Sequence, residues 1–216
     1  MDKMVTEAIR YLGYGNHAID EQTLVLIRES LRELGNRTRP RFVYRIFELS
    51  QKEENCLEIE QWNIKSKSLF KNLKGCEKVI VFAATLGIEA DLLIRKYGIT
   101  EMAKAVVLQA CSAAFLEAYC DRFQDEIESR MKKEGYYIRP RFSPGYGDFD
   151  ICHQENLLQL LQADKRIGLS MTDGYMLIPS KSVTALMGAS TIQTPCHKQG
   201  CEVCEKKDCI YKRNGN

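Results

Sequence analysis

The sequence predicts an α+β fold: an antiparallel sheet with packed helices, followed by a short cysteine-rich tail. Three observations carry that expectation. A continuous apolar run, Lys78-Val79-Ile80-Val81-Phe82-Ala83-Ala84, reads as a buried strand. Helical apolar spacing flanks it on both sides. Strands and helices then alternate without the regular beat of a doubly wound sheet. Of the 216 residues, 44% are hydrophobic, enough for one sizeable core without a second full domain.

Taken in order, residues 5–12 suit a short helix stopped by Gly13-Tyr14-Gly15. Asp20 is a plausible N-cap, and Leu24, Ile27, Leu31 and Leu34 keep helical spacing up to Gly35, where the helix is expected to end. After Pro40, residues 42–47 are rich in strand formers, and residues 57–62 are the expected hairpin partner. Thr85-Leu86-Gly87 turns the buried strand into a helix over 88–97. The longest helical pattern covers 101–134, alanine-rich first and charged from Asp121 onward. Residues 136–142 return as a strand, 154–163 form a short amphipathic helix, and 175–178 and 183–187 are late strands broken at Pro179. Residues 1–191 are expected to form one domain, with 1–75 as its helical and hairpin N-terminal part, and 192–216 the tail.

Composition narrows the function. A formal net charge of +2 with 28% charged residues creates no large field, so nucleic acid is a poor partner. The N-terminus lacks the apolar core of a signal peptide, and no run approaches the roughly 20 apolar residues that span a bilayer. A soluble, cytosolic protein without a membrane partner is expected. Nine cysteines without an export signal argue against a disulfide framework. Cys56, Cys76, Cys111, Cys120 and Cys152 are scattered and expected to be buried thiols.

The most informative stretch is Arg139-Pro140-Arg141-Phe142-Ser143-Pro144-Gly145-Tyr146-Gly147-Asp148, at the end of an expected strand. Proline fixes φ and removes a donor, and glycine permits close backbone approach to a ligand. Arginine can grip a carboxylate with two parallel hydrogen bonds, and a tyrosine face attracts a cation. A sulfonium amino acid needs both. A strand-ending turn with solvated arginines is the alternative.

Arg141-Phe142-Ser143-Pro144-Gly145-Tyr146 resembles the Arg-x-x-Pro-Gly-Tyr motif of the activation domain of cobalamin-dependent methionine synthase. Residues 172–184, Thr-Asp-Gly-Tyr-Met-Leu-Ile-Pro-Ser-Lys-Ser-Val-Thr, resemble that family's strand, Pro-x-x-Ser-Val-Ser turn and next strand in the same order. Ala114-Phe115-Leu116-Glu117 resembles the helix before the motif. The resemblance covers residues 80–190. It implies an S-adenosylmethionine site in which Arg141 contacts the ligand, Pro144, Gly145 and Gly147 shape the loop, and Tyr146, the catalytic candidate, lies between ligand and corrinoid. The family's helical glutamate falls on Ala113. Glu117, one turn later, is the candidate replacement, with Asp148 a second. The family's N-terminal aspartate motif has no match.

The implied role is part of a methionine synthase system acting in trans. A stalled Co(II) corrinoid is reduced to Co(I) and methylated at once by S-adenosylmethionine, so that a favourable methyl transfer draws an uphill reduction forward. The protein would contribute proximity and orientation. The chain has no Asp-x-His-x-x-Gly segment, so cobalamin would arrive on a separate methionine synthase polypeptide, with a flavodoxin or ferredoxin supplying the electron. Two other readings stand beside this one: an iron–sulfur activator of another corrinoid methyltransferase, and a non-catalytic partner of a cobalamin domain with a zinc-ordered tail.

The tail carries Cys196, Cys201, Cys204 and Cys209. Four soft donors this close together suit a metal, either an iron–sulfur cluster or zinc.

Overall fold

The computed structural model describes residues 2–14 and 18–193. The central sheet is antiparallel, in the order β1-β5-β9-β6, with β1 Arg41–Glu48, β5 Lys78–Thr85, β6 Tyr137–Ile138 and β9 Ser182–Ser190. Four helices cover one face: α1 Asp2–Tyr11, α2 Glu21–Arg37, α4 Ile88–Thr100 and α5 Met102–Lys133. The other face carries a small sheet of β2 Ser50–Lys52, β3 Cys56–Ile59 and β4 Trp62–Lys65. With it pack α3 Lys67–Asn72, α6 Gln154–Leu161 and α7 Ala163–Ile167. A two-stranded ribbon, β7 Ser170–Met171 and β8 Leu177–Ile178, leads into β9.

The unbroken apolar run of β5 follows from this layering. Ile80, Phe82 and Ala84 join the helical core, while Val79, Val81 and Ala83 join the opposite one. A strand buried on both faces has no place for alternating polar residues. Helix α5 is long and apolar enough to cross a membrane by composition alone, contrary to expectation, but half of its most apolar window is buried inside this fold.

Several elements depart from expectation. Helix α2 runs through Gly35 to Arg37. Gly35 keeps helical backbone and faces Phe115, and Thr38, two residues before Pro40, ends the helix instead. Strand β1 pairs with β5, Arg41 opposite Thr85, and not with residues 57–62. The latter supply β3, which pairs with β2 and β4 through its own tight turns. The strand expected over 136–142 is confined to Tyr137–Ile138, with one further bridge from Phe142 to Leu186. Of the scattered cysteines, Cys76, Cys111 and Cys120 are buried, whereas Cys56 and Cys152 are partly exposed.

Candidate functional site

The Pro-Gly-Tyr loop is held at three points. Its strand side is tied to β9 by the Phe142 N–H donating to Leu186 O at 2.8 Å and the return bond at 2.9 Å. Its far side is anchored by Phe149, 1% exposed, whose ring lies within 6.4 Å of Phe142, Trp62 and His153. Between these, the Gly145 N–H donates to Phe149 O at 2.7 Å, closing the loop on itself. Gly145 has φ +90° and Gly147 φ +57°, backbone that glycine adopts without steric cost.

The third anchor is Asp148. Its carboxylate accepts from Ser66 Oγ at 2.7 Å, from the Lys67 N–H at 2.7 Å and from the Ser68 N–H at 2.9 Å. Those bonds, Ser68's first, hold its carboxyl far below the usual carboxylate range. Asp148 thus fastens the loop to the start of α3, and is not turned toward Arg141. Gly147 lies so close to α3 that a Cβ there would sit 2.6 Å from Ser68 Oγ. The close approach that Gly147 permits is therefore to α3. Pinned in this way, the loop leaves the Tyr146 side chain 67% exposed, in edge contact with Phe142 at 6.5 Å.

Arg141 points the other way, onto α5. Its Nη2 donates to Asp121 Oδ1 at 2.8 Å and to Glu117 Oε2 at 3.2 Å. Glu117 and Asp121 are one helical turn apart and share a face. Lys3 of α1 reaches Asp121 at 3.5 Å. Burial, and the Glu117 charge after it, push the Tyr11 hydroxyl up. Beneath the pair, burial pushes the Cys120 thiol to about 12, with the Arg141 charge opposing. The second guanidinium nitrogen, Nη1, is buried and has no hydrogen-bond partner among the described residues. Asp121 escaped the sequence reading, although its four-residue spacing from Glu117 was visible.

The turn after β8 is braced from α4. Ser180 donates its N–H to Asp91 Oδ2 at 2.8 Å and its hydroxyl to Oδ1, and the Leu86 N–H donates to Lys181 O at 2.9 Å. Burial pushes the Lys181 amine down against the pull of Asp91. Strand β9 is thereby fixed beside the Arg141 segment.

Residues 33–195 match the family model described as vitamin B12 dependent methionine synthase, activation domain. The chain belongs to that family. The solved MetH reactivation domain bound to AdoHcy superposes with a TM-score of 0.59 at 14% identity, covering 88% of this chain and 77% of that one. A search of curated proteins returns no match. The activation-domain match spans β1 to β9 and both halves of the Arg141 cluster, so the expected α+β fold holds. Helix α1, which brings Lys3 and Tyr11 to that cluster, precedes the matched residues.

The structure brings Arg141 and Glu117 together and places Pro144, Gly145, Tyr146 and Gly147 on the adjoining loop. Cys196, Cys201, Cys204 and Cys209 lie outside the described residues and beyond the activation-domain match. Among the described residues, no group of three or more His, Cys, Asp or Glu is arranged to hold a metal.

Proposed function

We propose that the chain binds S-adenosylmethionine against Arg141 and acts in trans on the corrinoid of a separate cobalamin-dependent methionine synthase. Its role there is to let a one-electron reduction of Co(II), the electron coming from a separate redox protein, be followed at once by methylation of the Co(I) formed. The observation that carries this is Arg141: one guanidinium nitrogen is spent on Asp121 and Glu117 while the other is buried without a partner. A ligand carboxylate satisfies such a donor, and the two flanking carboxylates suit the ammonium of the same amino-acid head. Glu117 and Asp121 thus take the place of the family glutamate that falls on Ala113.

Tyr146 supports the second half of the reading. Its ring stands out from a loop pinned on both sides, so it meets an outside partner without prior rearrangement. Methyl transfer breaks the S–CH3 bond, leaves that electron pair on a neutral thioether and forms a cobalt–carbon bond from the Co(I) pair. The chain holds donor and acceptor together, and no proton moves. The AdoHcy in the related reactivation domain is the demethylated form of the proposed donor, which supports the same reading.

Calorimetry with S-adenosylmethionine tests the binding step. Truncating one partner of a buried charge pair costs about 2–5 kcal/mol, so Arg141→Ala should weaken affinity by well over tenfold. Unchanged affinity in a folded variant would remove Arg141 from the site.

A further inference from the structure

Four cysteines stand outside every role assigned so far. Cys196, Cys201, Cys204 and Cys209 are separated by four, two and four residues. Soft thiolates in such a set select zinc or an iron–sulfur cluster over hard cations. Lys206 and Lys207, between the last two, favour the thiolate over the thiol. The spacing separates the two metals. Common zinc motifs join two short hooks of ligands by a segment of about 12–20 residues. Here only Glu202 and Val203 lie between the Cys196–Cys201 pair and the Cys204–Cys209 pair, too few to build a finger. The opening Cys-x4-Cys-x2-Cys has the spacing of three ligands of a plant-type ferredoxin cluster, and Cys209 completes a set of four.

The described residues fix where this segment starts. Thr191 donates its N–H and its hydroxyl to the two carboxylate oxygens of Glu77, at 3.1 and 2.8 Å. The Ile192 N–H donates to Ser190 Oγ at 3.1 Å, and that hydroxyl donates to Gly75 O at 2.7 Å. The end of β9 is thus fastened, and the same strand bridges Phe142 at Leu186. From Leu186 to Ser190 a strand covers roughly 13 Å. The Tyr146 ring lies 6.5 Å from that of Phe142. From Ser190 to Cys196 the chain spans at most about 22 Å. The first cysteine is therefore within chain reach of the loop that displays Tyr146. The reaction proposed above needs one electron at that place, where S-adenosylmethionine can trap the Co(I) formed.

We propose that Cys196, Cys201, Cys204 and Cys209 hold an iron–sulfur cluster that takes one electron from a low-potential, ferredoxin-type donor and passes it to Co(II) beside Tyr146. The cluster is reduced as the donor is oxidised, and is reoxidised as Co(II) becomes Co(I). No bond forms or breaks in the relay, and methyl transfer follows it. Electron delivery rests on corrinoid reactivation with S-adenosylmethionine, whereas the cluster itself does not.

The test begins with the full chain isolated anaerobically from cells supplied with both iron and zinc. Iron and sulfide in equal amounts are expected, with a visible absorption that bleaches on reduction, a low-temperature EPR signal of the reduced form, and loss of all of these in Cys204→Ser. Both proteins are then given a cobalamin-carrying methionine synthase polypeptide without its own activation domain, held as Co(II), with S-adenosylmethionine and either reduced ferredoxin or a strong chemical reductant. Cys204→Ser should bind S-adenosylmethionine as the parent chain does and methylate cobalt with the chemical reductant, but fall to the chain-free rate with ferredoxin. Zinc, or no metal, in the parent chain overturns the cluster. A cluster-free variant as fast as the parent with ferredoxin overturns the relay. So does a cluster-bearing parent that the chemical reductant drives and ferredoxin does not. A parent chain that binds no S-adenosylmethionine overturns the reactivation reading instead, and the metal analysis then decides the cluster alone.

Discussion

Gly147→Ala is the sharpest probe of how the Tyr146 loop is held. Two costs separate in the structure. An alanine at φ +57° enters the left-handed region, which costs about 1–2 kcal/mol for a residue with a Cβ. The new methyl would also lie 2.6 Å from Ser68 Oγ and 2.9 Å from Ser68 Cβ, an overpacking typically worth about 1–3 kcal/mol. The single variant should therefore lose about 2–5 kcal/mol in urea denaturation, unless the loop lifts from α3 and gives up the Asp148 bonds instead. Ser68→Gly in the same chain removes the hydroxyl and the Cβ but not the backbone strain. The double variant should recover the overpacking part alone, after correction for Ser68→Gly by itself. Loss of less than about 0.5 kcal/mol in the single variant, within the range of an ordinary surface substitution, would refute the claim that Gly147 is packed on α3. So would a double variant no more stable than the single.

Other outcomes follow from the same geometry. Tyr146→Ala should leave the melting temperature almost unmoved, because the ring is 67% exposed, yet lose methyl transfer to the partner's corrinoid; a large fall in melting temperature would give the ring a packing role instead. Burial holds His153 below the ordinary histidine value of 6.5, against the pull of Asp150. The unfolded chain therefore takes up a proton first, so this stabilisation is complete above about pH 6.5 and declines as pH falls toward the depressed folded value. Neutral His153 accepts from Trp62 Nε1 at 3.2 Å, so emission of this single tryptophan in the folded protein should hold steady near pH 6.5 and change only as pH falls through the depressed folded value, and an identical stability profile in His153→Phe would exclude the histidine as its source. Anaerobically purified protein should contain one iron–sulfur or zinc centre that Cys201→Ser releases; absence of both metals would leave the four tail cysteines without a ligand role.

What could be read in the sequence divides along local and non-local lines. Helices α2, α4 and α5 and strands β5 and β9 follow from periodicity and from runs of apolar residues, which are properties of a short window. Strand pairing is not such a property. Residues 57–62 alternate as an edge of β1 would, but the β1 partner is β5, chosen by a core that buries both of its faces. Helix α3 was missed because part of its cap comes from Asp148, about eighty residues onward. Sequence spacing alone offers Asp148 as a ligand carboxylate, yet its three bonds to residues 66–68 commit it to the scaffold. The Arg141 cluster was half legible: the motif marks the arginine and one turn of helix marks Glu117. Asp121 joins only because α5 and the segment after β6 pack side by side.

Methyl transfer in trans is tested by following the methyl group itself. A cobalamin-carrying methionine synthase polypeptide without its own activation domain is held as Co(II) under anaerobic conditions with a strong chemical reductant. S-adenosylmethionine labelled in its methyl group is then added, with and without this chain. Label should accumulate on cobalt only when the chain is present, and Arg141→Ala and Tyr146→Ala should each suppress it. Label on cobalt at the same rate without the chain, or none in its presence despite bound S-adenosylmethionine, would contradict the claim.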